Sequence, residues 1–326
     1  MVKLDNNKNS RWPLVTTTVL VYKKFDKLFS ALKSIIDQDY PNIEIVISDD
    51  SSGNFPLEEV KKFIYKNKKS NIKNIEIIIN ESNLGTVKNL NNALKKGNGE
   101  YFIGLPGDDV FYDNSVISKV VDRFLTTNAS LVVCSRLKCS EQNMTEIRLM
   151  PDEKFIKKIN KLKTLFAQYQ AFGNGRYYEM ASGSSTYFSK KHFKEWGYFD
   201  EKYVLWEDGP FFAQYLRAGN EIHKAYDIIS IRYREGGISN SAPHPLMIKD
   251  YETFIKEEYF SYINKFNYLN SRMIKFLYKR NDVKSNKVKT FFLYLNYFDC
   301  ILIKLTYRFY CNHIDKKRRG DRNGLL

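Results

Sequence analysis

The chain has 326 residues, enough to bury one large core or two smaller ones. Its four cysteines, Cys134, Cys139, Cys300 and Cys311, are too few for a disulfide scaffold and form no CxxC pair, so the expected setting is reduced and cytoplasmic. The net charge is +15, and the polar opening MVKLDNNKNSR does not read as a signal peptide.

Leu14 to Tyr22 is a β-branched run of strand type. From Asp26, placed to cap, Leu28, Leu32, Ile35 and Ile36 fall at helical spacing until Tyr40-Pro41. Strand Ile43 to Ser48 runs into Asp49-Asp50-Ser51-Ser52-Gly53. A helix over Leu57 to Lys66, a strand over Ile75 to Ile79 and a helix over Thr86 to Lys96, stopped by Gly97, come next. The apolar strand Tyr101 to Leu105 then meets Pro106-Gly107 and delivers Asp108 and Asp109. A helix from Ser115 to Thr126 and a strand from Leu131 to Ser135 complete the pattern. Strand and helix alternate at short spacing, which predicts an α/β fold: a Rossmann-like, mostly parallel sheet with helices on both faces.

Parallel strands joined by right-handed crossovers place their carboxyl ends on one edge, where such sheets bind ligands. Two acidic loops, Asp49/Asp50 and Asp108/Asp109, therefore share that edge. Carboxylates suit Mg²⁺ or Mn²⁺, which reach proteins with a substrate's phosphates. Asp is also a common turn and cap residue, and that reading stands beside the functional one. Neither G-x-G-x-x-G nor G-x-x-x-x-G-K-[ST] is present, so a nucleotide held here needs a cation in place of a phosphate loop.

Phe155 to Phe172 reads as a helix, followed by the loop Ala171 to Met180, a small-residue strand, and a helix from Ser189 to Trp196 stopped by Gly197. Tyr177, Tyr178 and Trp206 are aromatic residues that can stack on a sugar or belong to the core. Trp206-Glu207-Asp208-Gly209-Pro210 opens a helix over Phe211 to Ala218, with Asp208 placed as an N-cap. Ile231 to Ser241 reads as a loop carrying Arg232, Arg234, Gly236 and Gly237. From Leu246 to Leu326, 17 Lys and Arg stand against 8 Asp and Glu. Such a surplus serves nucleic acid, an anionic membrane surface or phosphate-bearing substrates. Phe291 to Tyr310 is interrupted by Asp299, Lys304 and Arg308, too short a run to span a bilayer, and fits an interfacial helix or one packed on the catalytic domain or another subunit.

PLVTTTVLVYKKFDKLFSALKSIIDQDYPNIEIVISDDSS resembles the opening of family 2 glycosyltransferases, and NESNLGTVKNLNNALKKGNGEYFIGLPGDD resembles the approach to their DxD motif. The resemblance runs from Pro13 to about Asn240 and implies the GT-A nucleotide-sugar fold. It makes Asp50, with Asp49 beside it, the reader of the base, and adds Tyr22, Lys88 and Asp109 to the nucleotide side. Asp108 matches the last DxD aspartate and is the implied metal ligand. Pro106 stands where the first is usual. Asp208 matches the aspartate of the ED motif, the catalytic base, with Glu207 next to it. Arg232 and Arg234 fall in the loop that folds over the donor diphosphate, and their forks suit phosphate. No QxxRW motif is present at QYLRAG, so addition of one sugar is implied.

The resulting expectation is a catalytic domain over 1–240, with 13–110 the nucleotide half and 111–240 the acceptor half, and a basic, aromatic helical region over 241–326. The implied activity is inverting transfer of one sugar from a UDP-sugar, with Mn²⁺ or Mg²⁺, to a hydroxyl of a glycan or lipid-linked acceptor. The implied task is bacterial surface polysaccharide or capsule synthesis at the inner face of the plasma membrane. Contact with anionic lipid through the C-terminal helices, or with a second copy, is the further expectation, and nucleic acid is not expected as a partner. The competing class is a basic nucleic-acid or membrane-surface binder without catalysis, which leaves the aspartate loops unexplained. A nucleotidyltransferase lacks its Gly-rich loop at Val21-Tyr22-Lys23-Lys24.

Overall fold

In the computed structural model, which describes residues 12–173, 178–235, 244–283, 286–306 and 309, the β-branched runs form the centre of a sheet. Strands β1 (Val15–Val21) and β2 (Ile43–Asp49) pair in parallel over their whole length and are buried almost throughout. Continuous apolar runs are what strands covered on both faces require. The chain forms two compact units, one of residues up to Ser135 with Ser184–Phe199 and His223–Arg232, the other of Arg136–Gly183, Asp200–Ile222 and residues from Tyr233 on.

The first unit adds β3 (Ile72–Ile79), β4 (Tyr101–Phe102), β5 (Val110–Phe111), β8 (Thr186–Ser189), β6 (Leu131–Cys139) up to Ser135 and β9 (His223–Arg234) up to Arg232, in the order β3-β2-β1-β4-β8-β6-β9-β5. Pairing is parallel from β3 through β2 and β1 to β4, then antiparallel at β4–β8, β6–β8 and β5–β9. The α/β fold expected from the alternation is present, with antiparallel strands added beyond β4.

Helices α1 (Leu28–Ile36), α2 (Leu57–Asn67), α3 (Thr86–Lys96) and α4 (Val116–Thr127) connect the first strands. The α1 residues Leu28, Ala31, Leu32, Ile35 and Ile36 are the buried face that their spacing predicts. Asp26 does not cap it: the helix starts after Lys27 without a side-chain cap, and Asp26 pairs with the Lys27 ammonium at 3.2 Å. Buried Glu44, on β2, accepts from Thr16 Oγ1 (2.5 Å), from Gly99 N–H (3.2 Å) and from Asn98 N–H. This satisfied carboxylate fixes the turn that enters β4, at the strand ends opposite the acidic loops.

In the second unit the chain of β6 continues past Ser135 and pairs through Arg136–Cys139 with β7 (Glu146–Met150), a hairpin the sequence reading stops short of. The stretch read as one helix over Phe155 to Phe172 is two, α5 (Glu153–Ile159) and α6 (Leu165–Gly173). Asp152 caps the first through Phe155 N–H (2.8 Å), and Thr164 Oγ1 accepts from Ala167 N–H (3.1 Å) at the start of the second. Arg148 and Glu179 form a buried bidentate pair at 3.0 and 2.8 Å.

Helices α8 (Asp208–Arg217) and α9 (Pro245–Phe254) also belong to this unit; α7 (Lys190–Glu195) lies in the first. The tail forms α10 (Tyr268–Val283), α11 (Lys287–Asn296) and a helical stretch over 298–306. A turn at Tyr297 thus divides the helix expected over Phe291 to Tyr310, whose last residues lie outside the described ones. Leu293, Tyr297 and Cys300 form its buried side, and Arg272 on α10 holds Asp299 at 2.9 and 2.8 Å.

Candidate active site

In the first unit the loops after β1 and β2 are bound to each other. Asp50 N–H donates to Val21 O at 3.0 Å, and Asn80 N–H donates to Asp49 O at 3.0 Å. The Asp49 carboxylate accepts from Ser52 N–H (2.9 Å) and from the Ser52 hydroxyl, whose oxygen accepts from Lys23 N–H (2.8 Å). Lys23 (φ 57°) and Ser51 (φ 61°) occupy the left-handed region. Two such residues at neighbouring strand ends are the kind of strain that gathers at binding sites.

Asp50 is buried, and its carboxylate accepts from Leu84 N–H (2.9 Å), Gly85 N–H (2.9 Å) and Asn80 Nδ2 (3.1 Å). Asn80 continues to Asn89 Oδ1 (2.9 Å), which also accepts from Ser48 Oγ (2.5 Å). The turn chemistry therefore falls to Asp49, while Asp50 anchors the segment that leads into α3. Tyr22 is exposed at this edge, with Lys23 Nζ 4.9 Å from its ring centre. Lys88 is exposed on α3, as a solvated helix lysine would be.

The β4 ladder continues to Leu105 through bonds from Ile103 N–H to Thr16 O and from Leu105 N–H to Thr18 O, both 2.9 Å. A turn follows, closed by Asp109 N–H to Pro106 O at 3.1 Å. A Cβ on Gly107 would stand 2.8 Å from Leu20 O, so only glycine lets this turn lie against β1. Asp109 is buried and Asp108 half-buried. Arg232 faces Val110 across β9–β5, its guanidinium 4.9 Å from the Tyr112 ring centre.

In the second unit, α8 begins at Asp208 itself, and Glu207 occupies the cap position without a side-chain bond. Asp208 does not cap its own helix; its Oδ2 accepts from Gly183 N–H at 2.9 Å. A Cβ on Gly183 would lie 2.6 Å from Glu207 Oε1 and 3.3 Å from Asp208 Cβ. The small-residue stretch is thus the floor on which both carboxylates rest. Desolvation, with the Asp208 charge beside it, pushes the Glu207 carboxyl up to about 8.

Two residues that bond the segments next to this pair carry no motif. Arg136 donates to Ser182 Oγ and lies 4.9 Å from the Tyr233 ring centre. Asp250, buried on α9, accepts from Val204 N–H (2.9 Å), Leu205 N–H (2.6 Å) and Trp206 N–H (3.1 Å), which fixes the backbone entering Glu207. Only a lone acid beside aromatic Tyr251 marked it in the sequence. Trp206 packs on Gly209, on Tyr251 (5.6 Å) and on Phe254 (4.9 Å), so here it is packing. Arg234 is buried and donates to Glu141 O at 3.2 Å. Tyr177, the Tyr178 side chain, Gly236 and Gly237 lie outside the described residues.

The family described as Glycosyl transferase family 2 matches residues 17–203, more than half of the chain. The chain belongs to glycosyltransferase family 2. Among curated relatives of the family, a Rickettsia felis protein named an uncharacterized glycosyltransferase is 26% identical over 219 residues, covering 67% of this chain and 34% of that protein. The putative colanic acid biosynthesis glycosyl transferase WcaA of Escherichia coli is 29% identical over 102 residues, 31% of this chain and 35% of that protein. The chain thus spans about a third of the length of these two relatives, and 71% of that of a Rickettsia typhi protein named an uncharacterized glycosyltransferase. Residues 1–349 of S. aureus TarS in complex with UDP-GlcNAc share the fold at TM-score 0.59 and 19% identity, over 87% of this chain and 79% of that one. The mannosyltransferase PcManGT of Pyrobaculum calidifontis, in complex with GDP-Man and Mn²⁺, does so at TM-score 0.54 and 16% identity, over 82% and 70%.

The donor set at the β4 turn is carboxylate oxygen, the hard ligand that Mg²⁺ and Mn²⁺ take. Among the described residues no group of three or more His, Cys, Asp or Glu forms a complete cage. The residues fit an ion held by one carboxylate, with substrate phosphate and water supplying the rest.

Proposed function

We propose that the protein is an inverting glycosyltransferase that moves one sugar from a nucleotide-sugar, UDP-linked, to a hydroxyl of a glycan or lipid-linked acceptor. The observation that carries the reading is Asp208: its carboxylate is held by Gly183 N–H and is not spent on capping its own helix. A base needs such a fixed carboxylate, within reach of the acceptor hydroxyl directly or through one water.

In this mechanism Asp208 takes the acceptor proton, and the alkoxide attacks the anomeric carbon opposite the departing diphosphate. Glu207, biased toward its protonated form by burial, is suited to donate a hydrogen bond to the acceptor rather than to compete as base. The bound loops after β1 and β2 present the donor's nucleoside to Tyr22 and the Asp49–Asp50 turn. Lys88 and Asp109 remain on the nucleotide side of the proposal, Lys88 for a phosphate. Asp108 is the residue that would hold Mn²⁺ or Mg²⁺, and the ion would offset charge on the diphosphate. Arg232 is the better phosphate contact of the two arginines, because Arg234 is buried against Glu141 O.

The proposed task is surface polysaccharide or capsule synthesis at the cytoplasmic face of a bacterial plasma membrane, supported by the likeness to WcaA over 31% of the chain. The proposed domains are those expected above, with catalysis in 1–240. A panel of nucleotide-sugars, each tested for thermal stabilisation and for turnover with and without Mn²⁺, tests the reading. One UDP-sugar should stabilise the fold and be consumed. Stabilisation by none of them would refute it.

A further inference from the structure

The C-terminal helices leave an apolar face uncovered. Phe292, Leu295, Phe298, Leu302 and Leu305 recur every three or four residues with Phe291 beside the first, and each of the six is between 50% and 65% exposed. They are not a frayed end. The opposite side of the same helices is buried at Leu293, Tyr297 and Cys300, and Arg272 fixes it by donating to Asn296 O (2.6 Å) and to Asp299. Residues 291–305 extend about 20 Å at the helical rise. A soluble surface rarely leaves so long an apolar strip without a use.

Charge indicates what covers it. Residues 268–309 hold nine Lys and Arg against two acids, Asp282 and Asp299. The Asp299 charge is neutralised by Arg272 at 2.8 Å. Lys275 and Lys279 on α10 and Lys287 and Lys289 on α11 are exposed. Two copies of so basic a face would repel each other, whereas an anionic surface draws both the lysines and the apolar strip. No helix among the described residues is long and apolar enough to cross a membrane. The strip would therefore lie on a bilayer.

We propose that the α11 face docks in plane on a bilayer rich in anionic lipid, with Phe291, Phe292 and Phe298 entering at headgroup depth and the flanking lysines on the phosphates. The proposal deepens the membrane-side location given above and rests on it; it does not depend on which sugar is moved.

The test uses the full chain with vesicles of phosphatidylcholine alone or with a quarter phosphatidylglycerol, at low and high salt. Binding should be at least tenfold stronger on the anionic vesicles and should weaken with salt. The triple variant Phe291→Ser, Phe292→Ser, Phe298→Ser should lose at least tenfold in binding. Its unfolding temperature should be retained, because the three side chains are exposed. Equal binding by a folded triple variant would overturn the proposal. So would light scattering that shows a wild-type dimer made monomeric by the substitutions, which would assign the strip to a second copy. Cell fractionation separates the levels. Wild-type chain in the cytosol would overturn the location itself, whereas a membrane-bound wild type and an equally membrane-bound variant would overturn only the strip.

Discussion

Asp250 is the sharpest test of whether the Glu207–Asp208 pair is held from outside its own helix. The carboxylate of Asp250 receives the N–H groups of Val204, Leu205 and Trp206 at 2.6 to 3.1 Å. Asp250→Ala removes a charged acceptor from all three. Each such bond contributes about 1.5 to 3 kcal/mol when buried, and water recovers part of it at these half-buried donors, so the expected cost is about 3 to 5 kcal/mol. Asp250→Asn keeps one oxygen at the position of Oδ2, which serves all three donors, and loses mainly the charge, at about 1 to 2 kcal/mol. Urea unfolding gives the stabilities, and calorimetry with UDP gives the nucleotide affinity beside kcat. The Ala variant, assayed where it is still folded, should lose at least tenfold in kcat with UDP affinity kept within about twofold. The Asn variant should recover most of that turnover. An Ala variant with normal kcat would refute the positioning argument, and so would a loss of UDP affinity in proportion to kcat.

Three other substitutions probe the remaining roles. Asp50→Ala strips three donors of their acceptor and should cost about 2 to 4 kcal/mol and weaken UDP binding; unchanged UDP affinity by calorimetry would remove Asp50 from the nucleotide side. Glu207 has a folded pKa raised from 4.5 to about 8, so the folded state holds its proton more tightly, and this stabilisation is full below about 4.5 and lost as pH rises toward 8. Wild type should therefore lose unfolding free energy relative to Glu207→Gln across that window, and parallel pH curves would show that the carboxyl is not perturbed. Asp108→Asn should fold normally and lose turnover at limiting Mn²⁺, and near-normal activity there would end its assignment as the metal-holding residue.

The sheet was legible because parallel central strands need continuous apolar runs, and VTTTVLV and IEIVISD have no other use. The hairpin formed by β6 and β7 is less legible: Leu137 and Cys139 alternate with Arg136 and Lys138, so the charges end the continuous apolar run that marks a strand buried on both faces. At the acidic loops the residue types were readable but not their division of labour. Asp49 makes the turn through Ser52, three residues on, whereas the partners of Asp50 lie 30 or more residues away. The Gly-Pro neighbours of Asp208 allow a cap, and the ED resemblance makes it a base. Only the distant Gly183 N–H shows where its carboxylate is directed. Asp250 carries no local signal beyond a lone acid beside Tyr251, because its partners are backbone groups that any sequence carries.

Whether Asp208 is the catalytic base, as proposed, is measured by Asp208→Asn. The account predicts a normally stable variant that binds UDP as the wild type does while kcat falls by about 10² to 10⁴, the usual contribution of a positioned base. Asn keeps an oxygen for Gly183 N–H, so the fold gives no reason for a larger change. A stable Asn variant that turns over its nucleotide-sugar at near the wild-type rate would contradict the account and move the base to another residue.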